Sequence, residues 1–359
     1  MVVGAGPAGA LAALSLANVG WRVRVFDKEA PAERTEDPGG SRPGGISAGG
    51  KRGGRPGDGD RSYNIVLSPR GIGALDAAGV VLPEEQVVRL EGNVRHLEGV
   101  GKLSSQFKGT VAVNRGVLAD AIVAAAVARH GAGRASGGSV EFARGCALRR
   151  VDFESRVAHF ASSRADADED ADAKGDAVSS ALETMTEASY DLLVAADGVN
   201  SAVRGQLVDD GSLTFEQNVD DMLFKTVRLP VQTPSAEEGR DAEAATWRRC
   251  FHTWPNGLIS MLAPPDPAGT LSAVVILPGG KHAQGGRKTK KKMMWTWDKI
   301  NTKQDVESLF RECFPDAFKE GAPPEVSRDA RFQYLTSGIR LLRRFLRGDP
   351  SPRLTVFHF

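Results

Sequence analysis

Cysteine is scarce. Cys146, Cys250 and Cys313 are three in 359 residues, too few and too scattered for a disulfide framework or a four-ligand zinc site, so a reducing compartment is the default. An excess of charge of one sign is also lacking. The 46 Lys+Arg and 45 Asp+Glu leave a formal net charge of +1, which gives no global attraction to nucleic acid or to an anionic membrane. No stretch approaches the roughly 18 apolar residues of a membrane span. No charged segment followed by an apolar one opens the chain, as a secretory leader would. The six histidines have no metal-ligand spacing, and His130, His252 and His282 read as loop or packing residues. No nucleophile with a partnered base is apparent, so covalent and metal-assisted chemistry have no candidate residues.

Glycine, by contrast, is in surplus, at 41 residues against the roughly 25 that average usage predicts. Ten of them lie between Gly39 and Gly59, in a Gly, Arg, Pro and Asp segment from Asp37 to Asp60 with little to bury, which reads as a surface insert. A second insert, acidic, follows Ser163; a third, after Gly279, ends in the basic run Arg287 to Lys292. With no aromatic platform around it, that run reads as a solvated loop rather than a nucleic-acid patch. The length suits about two domains.

The ordered remainder begins as a βαβ unit. Val2-Val3 precedes Gly4-Ala5-Gly6-Pro7-Ala8-Gly9; Ala10 to Ala17 is a helical run stopped at Gly20; Trp21 to Phe26 alternates up to Asp27. Glycines at positions 4, 6 and 9 match G-x-G-x-x-G in its required context. They permit a tight turn, close approach of backbone to a pyrophosphate, and close helix–strand packing. The helix N-terminus then offers N–H groups and a positive dipole to phosphate. Asp27 ends the second strand, 23 positions after Gly4, where an acid bonds ribose hydroxyls. Further on, Ser62 to Leu67 is strand-like, Arg70 to Ala78 a short helix ended by Gly79, and Val117 to His130 an Ala-rich helix. Tyr190 to Ala196 reads as a buried strand running into Asp197-Gly198. Met222 to Leu277 reads mostly as strands, including Leu258 to Leu262 and Leu271 to Leu277, that form a sheet of their own. Asp305 to Phe314 is an amphipathic helix with Val306, Leu309, Phe310 and Phe314 on one side.

The segment Asp191 to Arg204, with Asp197-Gly198 straight after its strand, resembles the second nucleotide motif of the flavin-dependent aromatic hydroxylases. Three further segments narrow the resemblance to kynurenine 3-monooxygenases. Arg61 to Gly71 is similar to their Arg-Ser-Ile-Asn-Leu-Ala-Leu-Ser stretch, Phe251-His252-Thr253-Trp254-Pro255 to their His-Ile-Trp-Pro, and Cys313-Phe314-Pro315-Asp316-Ala317 to their Tyr-Phe-Pro-Asp-Ala. The likeness covers nearly the whole chain, although each motif is short.

The resemblance implies an FAD-dependent, NADPH-consuming monooxygenase, with O2 as co-substrate and a small aromatic amino acid as substrate. It would convert L-kynurenine to 3-hydroxykynurenine in tryptophan catabolism and NAD biosynthesis. Gly4, Ala5, Gly6, Pro7, Ala8 and Gly9 would hold the pyrophosphate of FAD; Asp27, with Lys28, the adenosine ribose; Val66 and Arg115 the flavin side; Leu148 the adenine; and Asp197-Gly198 both flavin and nicotinamide. Arg95, in Asn93-Val94-Arg95-His96, would pair with the substrate carboxylate, which a planar guanidinium can grip with two hydrogen bonds. Phe107 would stand where the family has a substrate-contacting tyrosine. No residue is expected to act as a catalytic acid, base or nucleophile, and no metal is expected.

The implied fold is α/β: a Rossmann-like FAD/NAD(P)-binding domain with an inserted, mostly antiparallel substrate sheet. Its expected boundaries are 1–80 for the first FAD-domain segment (insert 37–60), 81–110 for a substrate segment, 111–205 for the second FAD segment (insert 163–189), 206–330 for the substrate domain (insert 279–299), and 331–359 for the start of a return to the FAD domain. The family's third motif, a Gly-Asp followed by His and Pro, is not found, and the chain ends at a segment resembling the one before it. Met1 also sits directly on the first strand. Both ends therefore read as incomplete, and the chain alone is expected to bind FAD poorly and turn over negligibly. Membrane association, including the mitochondrial outer membrane that the resemblance suggests, would depend on a C-terminal region beyond Phe359. The alternatives are another flavin hydroxylase or epoxidase of this fold, or a catalytically incomplete FAD-binding fragment.

Overall fold

A computed structural model of the chain describes residues 1–30, 63–97, 100–133, 137–162, 184–230, 248–279, 295–317, 325–326, 332–338 and 354–356. The Gly-rich insert, Arg61, Ser62, His282, the basic run and Phe357 to Phe359 lie outside the described residues. By contacts the chain divides into two units, one of residues 1–34, 119–216 and 339–359, the other of residues 35–118 and 217–338.

The first unit is built on a five-stranded sheet in which every pairing is parallel: β17 (Leu354–Val356), β10 (Leu193–Ala195), β1 (Val2–Val3), β2 (Arg22–Asp27) and β6 (Ser139–Arg144), in that order. Buried parallel strands should be apolar without alternation, and β1 and β10 are buried throughout. Helix α1 (Pro7–Asn18) has Pro at its first position, where φ is already helical, and buries Ala10, Ala13, Leu14 and Ala17 along one stripe. Gly20 leaves it at φ +94°, a conformation costly to any residue with a Cβ. After β6 the chain forms an antiparallel meander of β7 (Cys146–Asp152), β8 (Val157–Ser162) and β9 (Thr184–Ser189). Phe160 of β8 stacks on Phe26 of β2 with ring centroids 3.9 Å apart, inside a core that includes Val151, Leu193, Val203 and Leu207.

The second unit is a nine-stranded sheet among the described residues. Its main path runs β15 (Glu325–Val326), β11 (Glu216–Pro230), β14 (Thr270–Pro278), β13 (Ile259–Ala263), β12 (Cys250–Asn256), β4 (Val87–Leu97), β5 (Val100–Asn114) and β3 (Asn64–Leu67), and β16 (Phe332–Gly338) pairs with β11. Along that path only β12 and β4 run parallel. Helix α2 (Pro69–Ala78) ends on Gly79 in the left-handed conformation, as expected. Helix α5 (Lys303–Cys313) opens with a reciprocal capping box between Thr302 and Asp305. It packs Leu309 and Phe310, with Phe314 following it, into a core shared with Trp254, Met261, Leu271 and Trp297.

Four expectations change. The strands from 222 to 277 do not form a sheet of their own: β12 pairs with β4, which joins them to β4, β5 and β3. Order resumes before the end of the acidic insert, because residues 184–189 pair with β8 along its whole length. It resumes before the end of the basic insert too, since Trp295 and Trp297 are buried in the second core. Helix α3 (Arg115–His130) begins two residues early, where the Asn114 side chain accepts the Gly116 N–H at 2.9 Å.

Candidate functional site

The order β17-β10-β1-β2-β6 places β1 where the chain's progress across the sheet reverses. At such a switch point the loops leaving the carboxyl ends of neighbouring strands diverge to opposite sides and open a crevice for ligand. The register brings three loops level. Val3 lies opposite both Phe26 and Ala195, so the residues that follow, Gly4, Asp27 and Ala196-Asp197, leave the sheet side by side. Hydrogen bonds confirm the convergence: Gly4 N–H donates to Phe26 C=O at 2.7 Å, and Ala196 N–H to Val3 C=O at 2.8 Å.

The glycines are needed first by the protein itself. Gly4 has φ +98°, and a Cβ there would lie 2.3 Å from the carbonyl oxygen of Ala196. A Cβ on Gly9 would lie 1.9 Å from the carbonyl oxygen of Gly4, so α1 approaches the end of β1 closely only because that position is bare. Gly6 is the N-cap of α1, and no side chain caps the helix. Its first-turn N–H groups beside half-buried Gly6 and Ala8 therefore suit an anionic oxygen. Asp27 fixes the loop from the other side: its carboxylate accepts from Ala5 N–H through one oxygen and from Glu29 N–H at 2.7 Å through the other. A carboxylate has about four acceptor positions, so roughly two remain for a sugar diol. Lys28 is exposed beside it. One neighbour escaped the sequence reading: Arg144 lies directly opposite Asp27 at the end of β6. Its only local mark is Gly145, at φ +72°, which ends the strand.

Asp197 is committed to helix α4 (Ala202–Asp209). One oxygen accepts from Ser201 Oγ at 2.6 Å and the other from the N–H groups of Ala202 at 2.6 Å and Val203 at 3.3 Å. Ser201 in turn accepts from Arg204 N–H at 3.0 Å. Gly198, at φ +82°, has open space where a Cβ would be. Leu148 is half-buried on β7 against the first core.

The other candidates belong to the second unit. Val66 lies on β3 opposite Ala112, and Arg115 follows the end of β5, its N–H donating to Tyr63 C=O at 3.2 Å, so both stand on the β3–β5 ladder. Arg95 is exposed on β4 opposite Thr253 of β12. Phe107 is not its neighbour. It lies in a bulge where Phe107 to Gly109 of β5 face the single Glu91 of β4, about 13 Å along the ladder from Arg95 at ~3.3 Å per residue.

Sequence reasoning missed one constellation. His96 Nδ1 is hydrogen-bonded to Asp316 Oδ2, His96 Nε2 meets His252 Nδ1 at 2.9 Å, and Trp254 Nε1 donates to Asp316 Oδ1 at 2.8 Å. His96 stacks on the Trp254 indole, centroids 3.9 Å apart. His252 is 1% exposed and His96 5%. Burial opposes ionisation of Asp316, but the hydrogen bond and charge of His96 and the Trp254 indole N–H hold its carboxyl below the usual value. These residues come from three segments quoted above, which is the signal that could have found them. Among the described residues no group of three or more His, Cys, Asp or Glu has metal-binding geometry.

Comparison with known proteins agrees with this architecture. No family model matches the chain. The chain is distantly homologous to kynurenine 3-monooxygenases. It is 26% identical to the one from Stenotrophomonas maltophilia over 88% of this chain and 56% of that protein, and 28% identical to the one from Salinispora arenicola over 92% and 60%. The chain thus spans a little over half the length of the curated relatives it matches. Its fold is that of the FAD-binding monooxygenases. Klebsiella pneumoniae HpxO complexed with FAD matches with a TM-score of 0.56 at 15% identity over 99% of this chain and 72% of that one. Pseudomonas putida p-nitrophenol 4-monooxygenase matches with 0.53 at 14% over 94% and 67%.

Proposed function

We propose that the chain carries the flavin-binding and substrate-sheet portions of an FAD-dependent, NADPH-consuming monooxygenase that hydroxylates an aromatic substrate, with L-kynurenine as that substrate. The observation that carries this reading is the convergence of the Gly4–Gly9 loop, Asp27 and the Asp197-Gly198 turn at the switch point of an all-parallel sheet. The loop fits FAD on its own geometry. Bare positions at Gly4 and Gly9 bring the start of α1 against the end of β1, and its N–H groups have no side-chain cap. FAD, when bound, supplies electron transfer from the nicotinamide and the activation of O2. The chain's residues bind and orient. The first turn of α1 holds the pyrophosphate, the free acceptor positions of Asp27 take the ribose hydroxyls, and Arg144 opposite Asp27 adds positive charge at that end of the sheet. On the second unit, exposed Arg95 offers a two-pronged grip for a carboxylate. The kynurenine assignment rests on the curated relatives together with that arginine.

The test is FAD titration followed by NADPH oxidation with and without L-kynurenine. Stimulation by L-kynurenine supports the full reading. FAD binding without stimulation removes the support for L-kynurenine and fits either another aromatic ring as substrate or the catalytically incomplete fragment named above among the alternatives. Failure to bind FAD at all overturns the proposal.

A further inference from the structure

We infer that His96, His252 and Asp316 are positioning residues that hold Arg95 in register as the carboxylate-binding group of the substrate sheet; this rests on the role proposed for Arg95 above. Strand β4 alternates faces over this stretch. Gly92, Val94 and His96 are buried, whereas Arg95 and Leu97 are exposed. A one-residue slip of a strand sends every side chain to the opposite face. Whatever fixes the register of β4 therefore decides whether Arg95 reaches a ligand or turns into the core.

The ladder with β5 is interrupted, with register shifts between Leu90 and Gly92 and again between Asn93 and Val94, so no unbroken register from the start of β4 reaches Arg95 on that side. The other flank is regular: Gly92 to Arg95 pair in parallel with Cys250 to Thr253. The buried network locks that flank. His96 is the residue after Arg95, and its two ring nitrogens tie β4 to β12 through His252 and to the turn after α5 through Asp316. Trp254 of β12 closes the ring by donating to the second Asp316 oxygen at 2.8 Å while stacking on His96. A slipped β4 would break both His96 bonds and leave Asp316 with lost partners in a mostly buried site, its side chain being 19% exposed. Such a loss is costly where water is excluded. The network thus acts through Arg95, on the opposite face, without touching a ligand itself.

The experiment is calorimetric titration of the full chain in saturating FAD with L-kynurenine and with its decarboxylated amine, for the parent and for Arg95→Ala, Asp316→Asn and His252→Gln. The last is the milder change, since its amide can still bond His96, and circular dichroism checks that each variant is folded. Arg95→Ala is expected to weaken L-kynurenine about tenfold or more, as loss of a charge-assisted pair implies, and to change the amine little. Asp316→Asn should weaken L-kynurenine by about three- to tenfold with the amine again nearly unchanged, and His252→Gln should do so less. Parent-like binding of both ligands by the two network variants, or equal weakening of both ligands, would overturn the inference and leave the role of Arg95 standing. Parent-like binding of L-kynurenine by Arg95→Ala would instead remove the proposed role of Arg95.

Discussion

Replacing Gly9 by alanine separates what the glycine loop does for the fold from what its sequence pattern suggests. Gly9 needs no special backbone conformation, being the third residue of α1, so the penalty is purely steric. The new Cβ would lie 1.9 Å from the Gly4 carbonyl oxygen and 3.0 Å from its carbon. Reaching an ordinary contact requires the peptide to retreat by about 1.5 Å, far more than a packed interior absorbs without strain. That peptide is held on both sides, by Gly4 N–H to Phe26 C=O at 2.7 Å and by Ala5 N–H to Asp27. Overpacking of this kind costs about 1–3 kcal/mol, and weakening one or two hydrogen bonds adds about 1 kcal/mol, giving roughly 2–4 kcal/mol in all. The control is Gly73→Ala, an exposed position in α2 with nothing within 4 Å of its added Cβ, where alanine should be neutral or stabilise by up to ~1 kcal/mol. Urea unfolding followed by circular dichroism measures both, and FAD titration should show at least a tenfold weaker affinity for Gly9→Ala alone. Equal stability and equal flavin affinity for the two variants would refute the reasoning.

Three further outcomes follow from the second unit. Asp316→Asn should cost about 2–3 kcal/mol, because it leaves buried partners of a charged group incompletely satisfied. Its acid limb should also be shallower: the folded-state pKa of Asp316 is lowered, so its contribution is present above the ordinary carboxylate value and lost as pH falls through the folded one. Unfolding midpoints of parent and variant between pH 6 and 3 check this, and parallel curves would contradict it. Thr302→Ala removes the hydroxyl that accepts Asp305 N–H at 3.2 Å and should cost about 1 kcal/mol, read as a lower urea midpoint with an unchanged slope. Cys250 is fully buried, and burial pushes its thiol up to about 11. At pH 8 a disulfide reagent should reach half-buried Cys146 and Cys313 first and Cys250 only on unfolding; early labelling at Cys250 in a peptide map would show the burial to be wrong.

Local signals were legible and distant ones were not. Strand β1, helix α1 and strand β2 could be read because apolar pairs, a glycine turn and an alternating run act within about 25 residues, and their boundaries hold to within a few positions. Gly79 could be read as a helix stop for the same reason: its left-handed conformation is a property of one residue. The joining of the 222–277 strands to β4 was not legible, since the β12–β4 pairing links residues about 158 positions apart and no local pattern specifies the partner of a sheet edge. The tails of two inserts were misjudged through composition. Residues 184–189 are polar by count and bury only Ala188, yet they pair with β8 along its whole length, and the two tryptophans after the basic run are core residues in a segment read from its lysines. Phe107 sits in a bulge, where the extra residues of one strand break any spacing argument.

The two acids and two glycines of the nucleotide loops illustrate why a pattern can be right while the reason given for it is incomplete. The glycine spacing suggests a ligand, yet in the structure Gly4 and Gly9 are required by Ala196 and by Gly4 itself. Asp27 suggests a ribose contact, yet both its oxygens already accept backbone N–H groups. Asp197 suggests a nucleotide motif, yet it holds the start of α4. These internal bonds do not compete with a ligand, because each carboxylate oxygen keeps an unused acceptor position or can share one. They orient the loops beforehand, so binding need not order them, and that lowers the entropic cost of association. The consequence for experiment is direct. A substitution here changes stability and affinity together, and only the excess of the affinity loss over the stability loss measured on the same variant reports on the ligand.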